Sequence, residues 1–391
     1  MVALPRRSKR THVNKAMAAD ILPADHESAT LVGRLLLPEG PTPVLLRGGQ
    51  VEDVSPSAPT VADLLDGRSL DSVSGRTLFN VEELLERAGE LLLSPIDLQV
   101  VKAAGVTFAV SAVERVIEER ARGDSGAAAD IRARLESRIG GAIRSVVPGS
   151  EDAARLKAAL IEDDMWSQYL EVAIGPDAEI FTKAPILSTV GWGADIGVRS
   201  DSHWNNPEPE IVIVANSNGD PVGATLGNDV NLRDFEGRSA LLLGKAKDNN
   251  ASGGLGPFIR VFDSGYAMDD IRSAVITLVV EGEDGFRLDG TSSMDQISRD
   301  PVDLVRQAMS EHQYPDGFVL FLGTLFAPVQ DRDDPGKGFT HKVGDRVRIS
   351  TPRLGTLLNR VTTSKQAPAW TFGVRDLMRN LATRGLLTGQ A

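Results

Sequence analysis

Short apolar runs, separated by Gly, Pro, Asn and Asp, predict β-strands over much of the chain. In the N-terminal part these runs cover residues 30–37, 44–46 and 51–54. In the C-terminal part they cover residues 179–182, 211–214, 222–226, 274–280, 318–322 and 347–349. Many short strands at uneven spacing are typical of a sandwich or a rolled sheet rather than of a doubly wound sheet.

Helical patterns occupy the stretch between these two groups of strands. Asn80 is an N-cap residue with a glutamate three positions later, and leucines follow it at helical spacing. A second helix is predicted over residues 109–122, where a glycine would end it. Further helical patterns cover about 127–138 and 151–171, and their alternating charges indicate an exposed helical insert.

The length of the chain predicts more than one domain. Its 391 residues exceed what a single core of usual size holds. We predict a disordered tail over 1–28, a small, mostly β N-terminal domain over 29–75, and a larger domain over 76–391 with the helical insert at about 124–172. A basic run at 6–10 is not followed by an apolar signal-peptide core, and no apolar run approaches a membrane span. A cytoplasmic location is therefore expected.

Composition excludes several kinds of site. The chain has no cysteine, which excludes disulfides, thiolate metal sites, iron–sulfur clusters and cysteine nucleophiles. The net charge of −12 argues against nucleic acid or an acidic membrane surface as a partner. Histidine-based chemistry would have to draw on five residues, which are His12, His26, His203, His312 and His341.

The acidic stretch Glu208-Pro209-Glu210 precedes one apolar run, and Asp229 follows the next. Because alternate side chains of a strand share a face, Glu208 and Glu210 are expected to project together, and Pro209 is expected to keep that end of the strand off the interior of a sheet. The next strand can return beside the first and bring Asp229 to the same rim. Three carboxylates without an obvious neutralising partner are costly unless they bind a hard cation. Spacing alone leaves a second interpretation open, in which these are solvated edge and turn residues.

Short motifs spread over roughly residues 76–365 occur in a definite order. They are Gly105–Glu114, Glu179–Lys183, Glu208–Glu210 with Gly227–Asp234, Lys247 ten residues before Pro257, Gly323-Thr324, and Gly344–Val347. In this order and at this spacing they resemble the fumarylacetoacetate hydrolase superfamily. Each motif is weak by itself, but together they favour the cation-binding interpretation of the acidic stretch.

The resemblance implies an α+β fold in which a mixed β-sandwich roll carries a deep metal-binding cleft, usually in a homodimer. It implies a divalent ion, Mg²⁺ or alternatively Mn²⁺, bound by Glu208, Glu210 and Asp229. Carboxylate oxygens suit a hard octahedral cation that keeps water ligands for a substrate to displace. The implied substrate is a small 2-oxo sugar acid, whose enolate the metal would stabilise as a Lewis acid.

Ser111 separates this chain from the members of the superfamily that cleave carbon–carbon bonds. Those members carry a water-activating histidine in a pattern like Gly-x-Asn-Tyr-x-x-His-x-x-Glu, and the matching positions here are Gly105, Thr107, Phe108, Ser111 and Glu114. A lone hydroxyl is a poor general base at neutral pH, so hydrolysis is disfavoured and enolisation is retained. The combination is similar to the 2-keto-3-deoxypentonate (2-keto-3-deoxyarabinonate) dehydratase branch.

That branch implies a hydro-lyase that removes water from 2-keto-3-deoxypentonate to give 2,5-dioxopentanoate (2-oxoglutarate semialdehyde) in non-phosphorylative pentose breakdown. The alternative enzyme is a 2,4-dioxo sugar-acid hydrolase that cleaves a carbon–carbon bond and releases pyruvate. A non-catalytic, metal-stabilised binding protein is a hypothesis of a different class.

The implied roles are assigned residue by residue. Lys247 is the candidate to take the C3 proton, with its ammonium destabilised by the nearby cation. Glu114, through a water held with Ser111 and Glu179, would protonate the departing C4 hydroxyl, and these two proton roles could be exchanged. Thr324, following Gly323, would hold the substrate carboxylate through its hydroxyl and a backbone N–H.

Each of these residues also has a structural interpretation. Lys247 could be a solvated loop lysine beside Lys245, Glu114 a surface charge, and Ser111 a packing residue at the helix entry. Thr324 could equally lie outside the site.

Other residues near the motifs are assigned supporting roles. Lys183 is expected to be a structural ion-pair partner, and Arg233 with Asp234 to support the turn at Asp229. His203 is not expected to reach the site. The acidic run at 331–334 is interpreted as a solvated loop that could act as a lid.

Overall fold

The computed structural model describes residues 20–67, 69–122, 146–162, 166–326, 328, 330–336 and 338–387. The side chains of Val110, Val113, Glu114 and Glu118 lie outside this description. The helical pattern predicted at 127–138 and most of the predicted tail also lie outside the described residues.

The described residues form strands and helices with the following bounds. The strands are β1 (Leu31–Leu37), β2 (Gly40–Arg47), β3 (Gln50–Asp53), β4 (Arg76–Asn80), β5 (Val100–Gly105), β6 (Glu179–Ala184), β7 (Asp195–Val198), β8 (Asn205–Asn206), β9 (Pro209–Ala215), β10 (Pro221–Asp229), β11 (Asn231–Leu232), β12 (Gly253–Val261), β13 (Val275–Glu281), β14 (Arg287–Ser293), β15 (Phe318–Phe321), β16 (Arg346–Thr351) and β17 (Gly355–Thr363). The helices are α1 (Val61–Leu65), α2 (Val81–Leu91), α3 (Ala109–Arg120), α4 (Glu151–Glu162), α5 (Gln168–Ile174), α6 (Arg233–Glu236), α7 (Leu243–Lys247), α8 (Met268–Arg272), α9 (Pro301–Met309) and α10 (Val374–Thr383).

Ten of the described strands form one mixed sheet in the order β4-β3-β2-β1-β12-β10-β9-β15-β5-β6. Most neighbours in this sheet are antiparallel, but β15 and β5 run parallel. The strands predicted as an N-terminal domain continue the same sheet, because β1 pairs with β12 through Leu31 opposite Arg260 and Val32 opposite Ile259. The N-terminal strands therefore share a hydrogen-bonded sheet with the strands that carry the acidic stretch.

A second sheet of five strands, β14-β13-β16-β17-β7, packs against the first. One buried cluster contains Ile211 and Ile213 of β9 together with Leu278, Ile349 and Leu357 of the second sheet. Apolar side chains at alternate strand positions fill this layer because removing them from water is the main favourable term in folding. The prediction of a protein with helices and large mixed sheets is confirmed.

The alternative interpretation of Glu208-Pro209-Glu210, as solvated residues on an edge strand, is wrong. The strand β9 lies inside the large sheet, between β10 and β15. Pro209 is tolerated because it is the first residue of β9, and the pairing with β15 covers only Val212–Ala215. The acidic stretch therefore lies at the rim where a central strand begins.

Residues 20–28, predicted as part of the tail, are packed against the body of the protein. Ile21 and Leu22 are buried, and the Thr356 N–H donates to the Ile21 carbonyl over 3.3 Å. Asp25 forms an ion pair with Arg260 of β12. The apolar pair at 21–22 explains this, since its burial offsets the cost of ordering the segment.

The helices of the described ranges are short or amphipathic. Across these ranges no helix combines the length and the apolar character needed to cross a membrane.

Candidate active site

The three predicted metal ligands meet at the rim of the large sheet. The register of β9 and β10 places Asn228 opposite Pro209, and the Asp229 N–H donates to the Glu208 carbonyl over 3.1 Å. Glu208, Glu210 and Asp229 each offer one carboxylate oxygen within a group whose atoms all lie within 4.8 Å of one another. All three residues are buried. The spacing argument therefore predicted this convergence correctly.

The expectation that these carboxylates lack a neutralising partner is wrong. The Lys247 ammonium lies 2.6 Å from Glu208 Oε2 and 3.1 Å from Asp229 Oδ2. On the other side, the Lys183 ammonium lies 2.9 Å from Asp229 Oδ1, which supports its predicted role as an ion-pair partner. Arg115 adds a third cation, with Nη2 2.9 Å from Glu208 Oε1. The cations come from β6, α3 and α7, so local sequence gave no sign of the pairing.

Burial and the surrounding charges shift the pKa values of Glu210 and Asp229 in opposite directions. Burial and the negative charges of Asp229 and Glu208 raise the pKa of Glu210 well above its usual value. Burial would also raise the pKa of Asp229, but Lys183 and Lys247 outweigh it and the pKa lies below its usual value. The three groups thus differ in how much positive charge already surrounds them.

Burial would lower the pKa of Lys247, yet Asp229 and Glu208 outweigh burial and raise it above its usual value. The sequence argument expected a destabilised ammonium, and that expectation assumes a bound cation. Lys183 behaves differently, since burial lowers its pKa despite the attraction of Asp229.

The residues at the rim fit a hard divalent cation. The donor atoms are carboxylate oxygens close enough to share one ion. Glu210 is the least compensated of the three: its Oε2 accepts the Gly323 N–H over 2.7 Å, while its carboxylate faces two others. A divalent ion would favour ionisation of Glu210 by replacing repulsion with attraction.

The remaining predicted site residues line the same cleft. Its walls include Ser111, Glu179, Lys247, Gly323 and Thr324, beside the three carboxylates. The structure therefore brings together residues that are more than two hundred positions apart in sequence. The exception is Glu114, which belongs to α3 but whose side chain lies outside the described part of the structure.

Ser111 and Glu179 face the cleft from opposite elements. Ser111 lies in the first turn of α3, and its hydroxyl donates to the Phe108 carbonyl over 2.7 Å. Its oxygen can still accept a further hydrogen bond. Glu179 begins β6, and burial raises the pKa of its carboxyl despite the attraction of Arg115 and Lys247. A carboxyl of this kind can hold a proton more readily than a solvated one.

Gly323 and Thr324 follow β15 at the same rim. Gly323 has φ +85°, and a Cβ there would lie closer than 3.0 Å to the Thr107 hydroxyl oxygen. Glycine is therefore needed both for the backbone conformation and for the close approach. The Thr324 hydroxyl accepts from the Phe326 N–H over 3.1 Å, which fixes its orientation in the cleft wall.

Residues 168–362 match the model of the family described as fumarylacetoacetate (FAA) hydrolase C-terminal. This range, just under half of the chain, is similar to the C-terminal domain of the fumarylacetoacetate hydrolases. It carries Glu179, the three carboxylates, Lys247 and Thr324, whereas Ser111 and Arg115 lie before the matched range.

Two curated relatives of the chain are both named as sugar-acid dehydratases. The chain is 32% identical over 202 residues, 52% of its length, to a probable 2-keto-3-deoxyxylonate dehydratase of Haloferax volcanii. It is 34% identical over 186 residues, 47% of its length, to the 2-dehydro-3-deoxy-D-arabinonate dehydratase of Saccharolobus solfataricus. These alignments span 66% and 58% of the two relatives, which is less than two thirds of either.

Solved structures share the fold over most of the chain. One of them is a 2-keto-3-deoxy-D-arabinonate dehydratase complexed with magnesium and 2,5-dioxopentanoate. It matches with a TM-score of 0.62 at 24% identity and covers 85% of this chain and 99% of that chain. At this identity the likeness establishes the fold of the chain.

A second layer of residues around the cleft was not predicted from the sequence. Glu236 of α6 forms an ion pair with Arg115, and its Oε1 lies 3.7 Å from the Lys247 ammonium. The Tyr169 hydroxyl donates to the Glu236 carbonyl over 3.2 Å. Arg115 directly follows the predicted Glu114, so its position was visible in the sequence, but its partners are more than ninety residues away.

Other residues singled out in the sequence lie outside the cleft or at its edge. His203 is exposed, in keeping with the expectation that it does not reach the site. Arg233 lines the cleft and stacks on Trp204, whereas Asp234 accepts the His203 N–H over 2.8 Å and so holds the segment before the acidic stretch. The loop at 331–334 is held against the body of the protein by an ion pair between Arg332 and Asp345.

Proposed function

We propose that this protein is a divalent-metal-dependent hydro-lyase that removes water from 2-keto-3-deoxypentonate and yields 2,5-dioxopentanoate. The observation that carries this proposal is the buried group of Glu208, Glu210 and Asp229, with the Lys247 ammonium in contact with two of them. Such a group suits enolisation of a 2-oxo acid, because the divalent cation that these carboxylates would hold would stabilise the negative charge of the enolate.

The relatives support the substrate class. Both curated relatives are named as dehydratases of 2-keto-3-deoxy sugar acids of five carbons. The similar solved structure is described as a complex with magnesium and 2,5-dioxopentanoate. On this basis we propose a 2-keto-3-deoxypentonate as substrate and magnesium as the native ion, with manganese as a substitute.

Glu208, Glu210 and Asp229 would hold the ion. When bound, a divalent cation supplies Lewis acidity that stabilises negative charge on the 2-keto oxygen of the substrate. Lys183 lies on the far side of Asp229 from Lys247 and orients that carboxylate.

Two groups of the chain would move protons. Lys247 would exchange the C3 proton, and Glu114, with Ser111 and Glu179 holding a water, would protonate the C4 hydroxyl as it leaves. The order of these two roles can be reversed. Thr324 would hold the substrate carboxylate, while the Gly323 N–H supports Glu210.

The reaction is balanced without an oxidant or a reductant. The C3 proton and the C4 hydroxyl leave together as one water, and the resulting alkene tautomerises so that C5 becomes the aldehyde. The reaction therefore needs a base, an acid and a divalent cation. Lys247 and Glu114 would supply the base and the acid, and the three carboxylates would hold the cation.

The alternative is a hydrolase that cleaves a 2,4-dioxo sugar acid and releases pyruvate. Hydrolysis needs a water-activating base, and no histidine among the described residues lines the cleft. Ser111 stands at the position where the carbon–carbon hydrolases carry histidine.

Product analysis separates the two functions. The purified protein with Mg²⁺ should convert 2-keto-3-deoxyarabinonate or 2-keto-3-deoxyxylonate into an aldehyde that a semialdehyde dehydrogenase oxidises with NAD(P)⁺. EDTA should stop the reaction and Mg²⁺ should restore it. Release of pyruvate from a 2,4-dioxo acid, without an aldehyde from either 2-keto-3-deoxypentonate, would establish the hydrolase instead.

We also make three proposals that concern the whole molecule. They are the mixed β-sandwich roll, the homodimer and the cytoplasmic location. The homodimer is checked by light scattering of the purified protein, and a mass equal to one 41.8 kDa chain would refute it.

A further inference from the structure

A second cavity of about 190 Å³ lies away from the cleft, between β1, the end of α2, residues 187–195 and the segment 368–372. Its walls are mostly apolar and include Leu36, Leu92, Leu93, Leu187, Trp370 and Phe372. None of the proposed catalytic or metal-binding residues lines it. A cavity of this size and lining can hold a small organic molecule.

Arg34 lines this cavity, and two of its three guanidinium nitrogens lack partners. Arg34 is 7% exposed, and its Nε and Nη1 atoms have no hydrogen-bond acceptor. Leu36, two residues further along β1, shares its face and also lines the cavity. A buried guanidinium with unused N–H groups is costly, because each unpaired donor has given up water without replacement.

The carboxylate that could serve Arg34 is already engaged. Asp97 accepts three backbone N–H groups, from Val61 over 2.6 Å, Ala62 over 3.1 Å and Leu98 over 2.8 Å. It contributes only a distant attraction to Arg34, whose pKa burial lowers in spite of it. The charge on Arg34 is therefore compensated only in part by the protein.

The indole of Trp192 adds a second unused donor. Its Nε1 is buried and has no hydrogen-bond acceptor, and the residue lines the same cavity. Glu90 and Asp195 also line the cavity, but both are half-buried, unlike Arg34. The deep part of the cavity thus offers donors, and the shallower part offers carboxylates and apolar surface.

We propose that this cavity binds a small organic carboxylate, whose charged end pairs with the Arg34 guanidinium and whose apolar body packs on Trp192, Leu36 and Phe372. The two oxygens of a planar carboxylate can accept hydrogen bonds from two parallel N–H groups of a guanidinium at once. The aromatic and leucine side chains of the walls favour a ligand with an aliphatic or aromatic body over a sugar. The site is independent of the proposed dehydratase function.

Isothermal titration calorimetry tests the proposal with hexanoate and phenylacetate as probes, and hexanamide as the uncharged match for hexanoate. We expect saturable binding of a carboxylate and at least about tenfold weaker binding of the amide, equivalent to about 1.4 kcal/mol. The variant Arg34→Met should weaken carboxylate binding by about tenfold or more. It should still fold, because it removes a buried charge whose donors lack partners.

A second variant, Ala369→Phe, narrows the cavity from an exposed position and should also weaken binding while leaving Arg34 in place. Glu208→Gln, in the cleft, should bind the probes as the wild type does. The proposal is overturned if no carboxylate binds saturably, if the amide binds equally well, or if the cavity variants bind like the wild type. Loss of binding in Glu208→Gln would place the carboxylate in the cleft and overturn it as well.

Discussion

Replacing Gly323 with alanine should destabilise the protein more than the same replacement at Gly336. The two glycines form a matched pair, with φ values of +85° and +78° and N–H groups that each donate to a carboxylate, Glu210 and Asp331 respectively. They differ in surroundings. A Cβ at Gly323 would meet Thr107 closer than 3.0 Å, whereas a Cβ at Gly336 would meet nothing within 4 Å.

The size of the difference follows from the two contributions. The left-handed backbone costs alanine about 1–2 kcal/mol at either position. At Gly323 the buried Thr107 must also move, although its hydroxyl donates to the Leu322 carbonyl over 2.6 Å. Overpacking of this kind costs about 1–3 kcal/mol. We therefore expect Gly323→Ala to lose about 1–3 kcal/mol more than Gly336→Ala.

Urea denaturation followed by tryptophan fluorescence measures this difference in the free energy of unfolding. Titration with Mg²⁺ supplies a second readout, because displacement of the Gly323 N–H withdraws support from Glu210. Metal affinity should fall in Gly323→Ala and stay at the wild-type value in Gly336→Ala. Equal losses of stability in the two variants, within about 0.5 kcal/mol, would refute the close-approach argument.

Three further predictions concern the charged groups. Glu208→Gln should weaken Mg²⁺ binding on the order of 100-fold and abolish turnover; retained activity would refute the metal assignment. Lys247→Met should lose turnover yet still bind Mg²⁺ in calorimetry, whereas Lys245→Met should keep both; an active Lys247→Met would exclude its proton role. Burial lowers the pKa of His341 from its usual 6.5, so the stability that neutral His341 supplies is present above about pH 6.5 and lost as pH falls. This loss of stability should be at most about 1.4 kcal/mol per pH unit. It should be absent in His341→Gln and present in His203→Gln, the exposed control. Equal pH profiles of stability in the two variants would contradict the prediction.

Apolar runs predicted many strands because they are buried on one or both faces. The runs at 211–214 and 222–226 fall within β9 and β10. The strand β12 was missed, since Gly253, Gly254, Gly256 and Pro257 give it the composition of a loop. Its glycines are tolerated because β10 and β1 pair with it on either side and supply the contacts that its own residues lack.

Within the site, sequence predicted the carboxylates, Lys247 and the ion-pair role of Lys183, but it missed Arg115 and Glu236. Glu208 and Glu210 are two apart on one strand, a relation that local spacing determines. The pairing of Glu208 with Arg115 and Lys247 depends on how α3 and α7 pack over the rim, which no local pattern encodes. The edge-strand interpretation of the acidic stretch failed for the same reason, because tertiary structure determines that β15 pairs with β9.

Glu208, Glu210 and Asp229, the three proposed metal ligands, lie at one end of β9 and β10, and the turn that joins these strands lies at the other end. There the Asn216 side chain accepts the N–H groups of Asn218 over 3.0 Å and Asp220 over 2.9 Å, which sets the loop length. Side chains alternate between faces, so a slip of one residue in this turn would carry Asp229 to the opposite face from Glu208. We therefore expect metal affinity to depend on the register of β9 and β10, which is set by a turn remote from the proposed ligands.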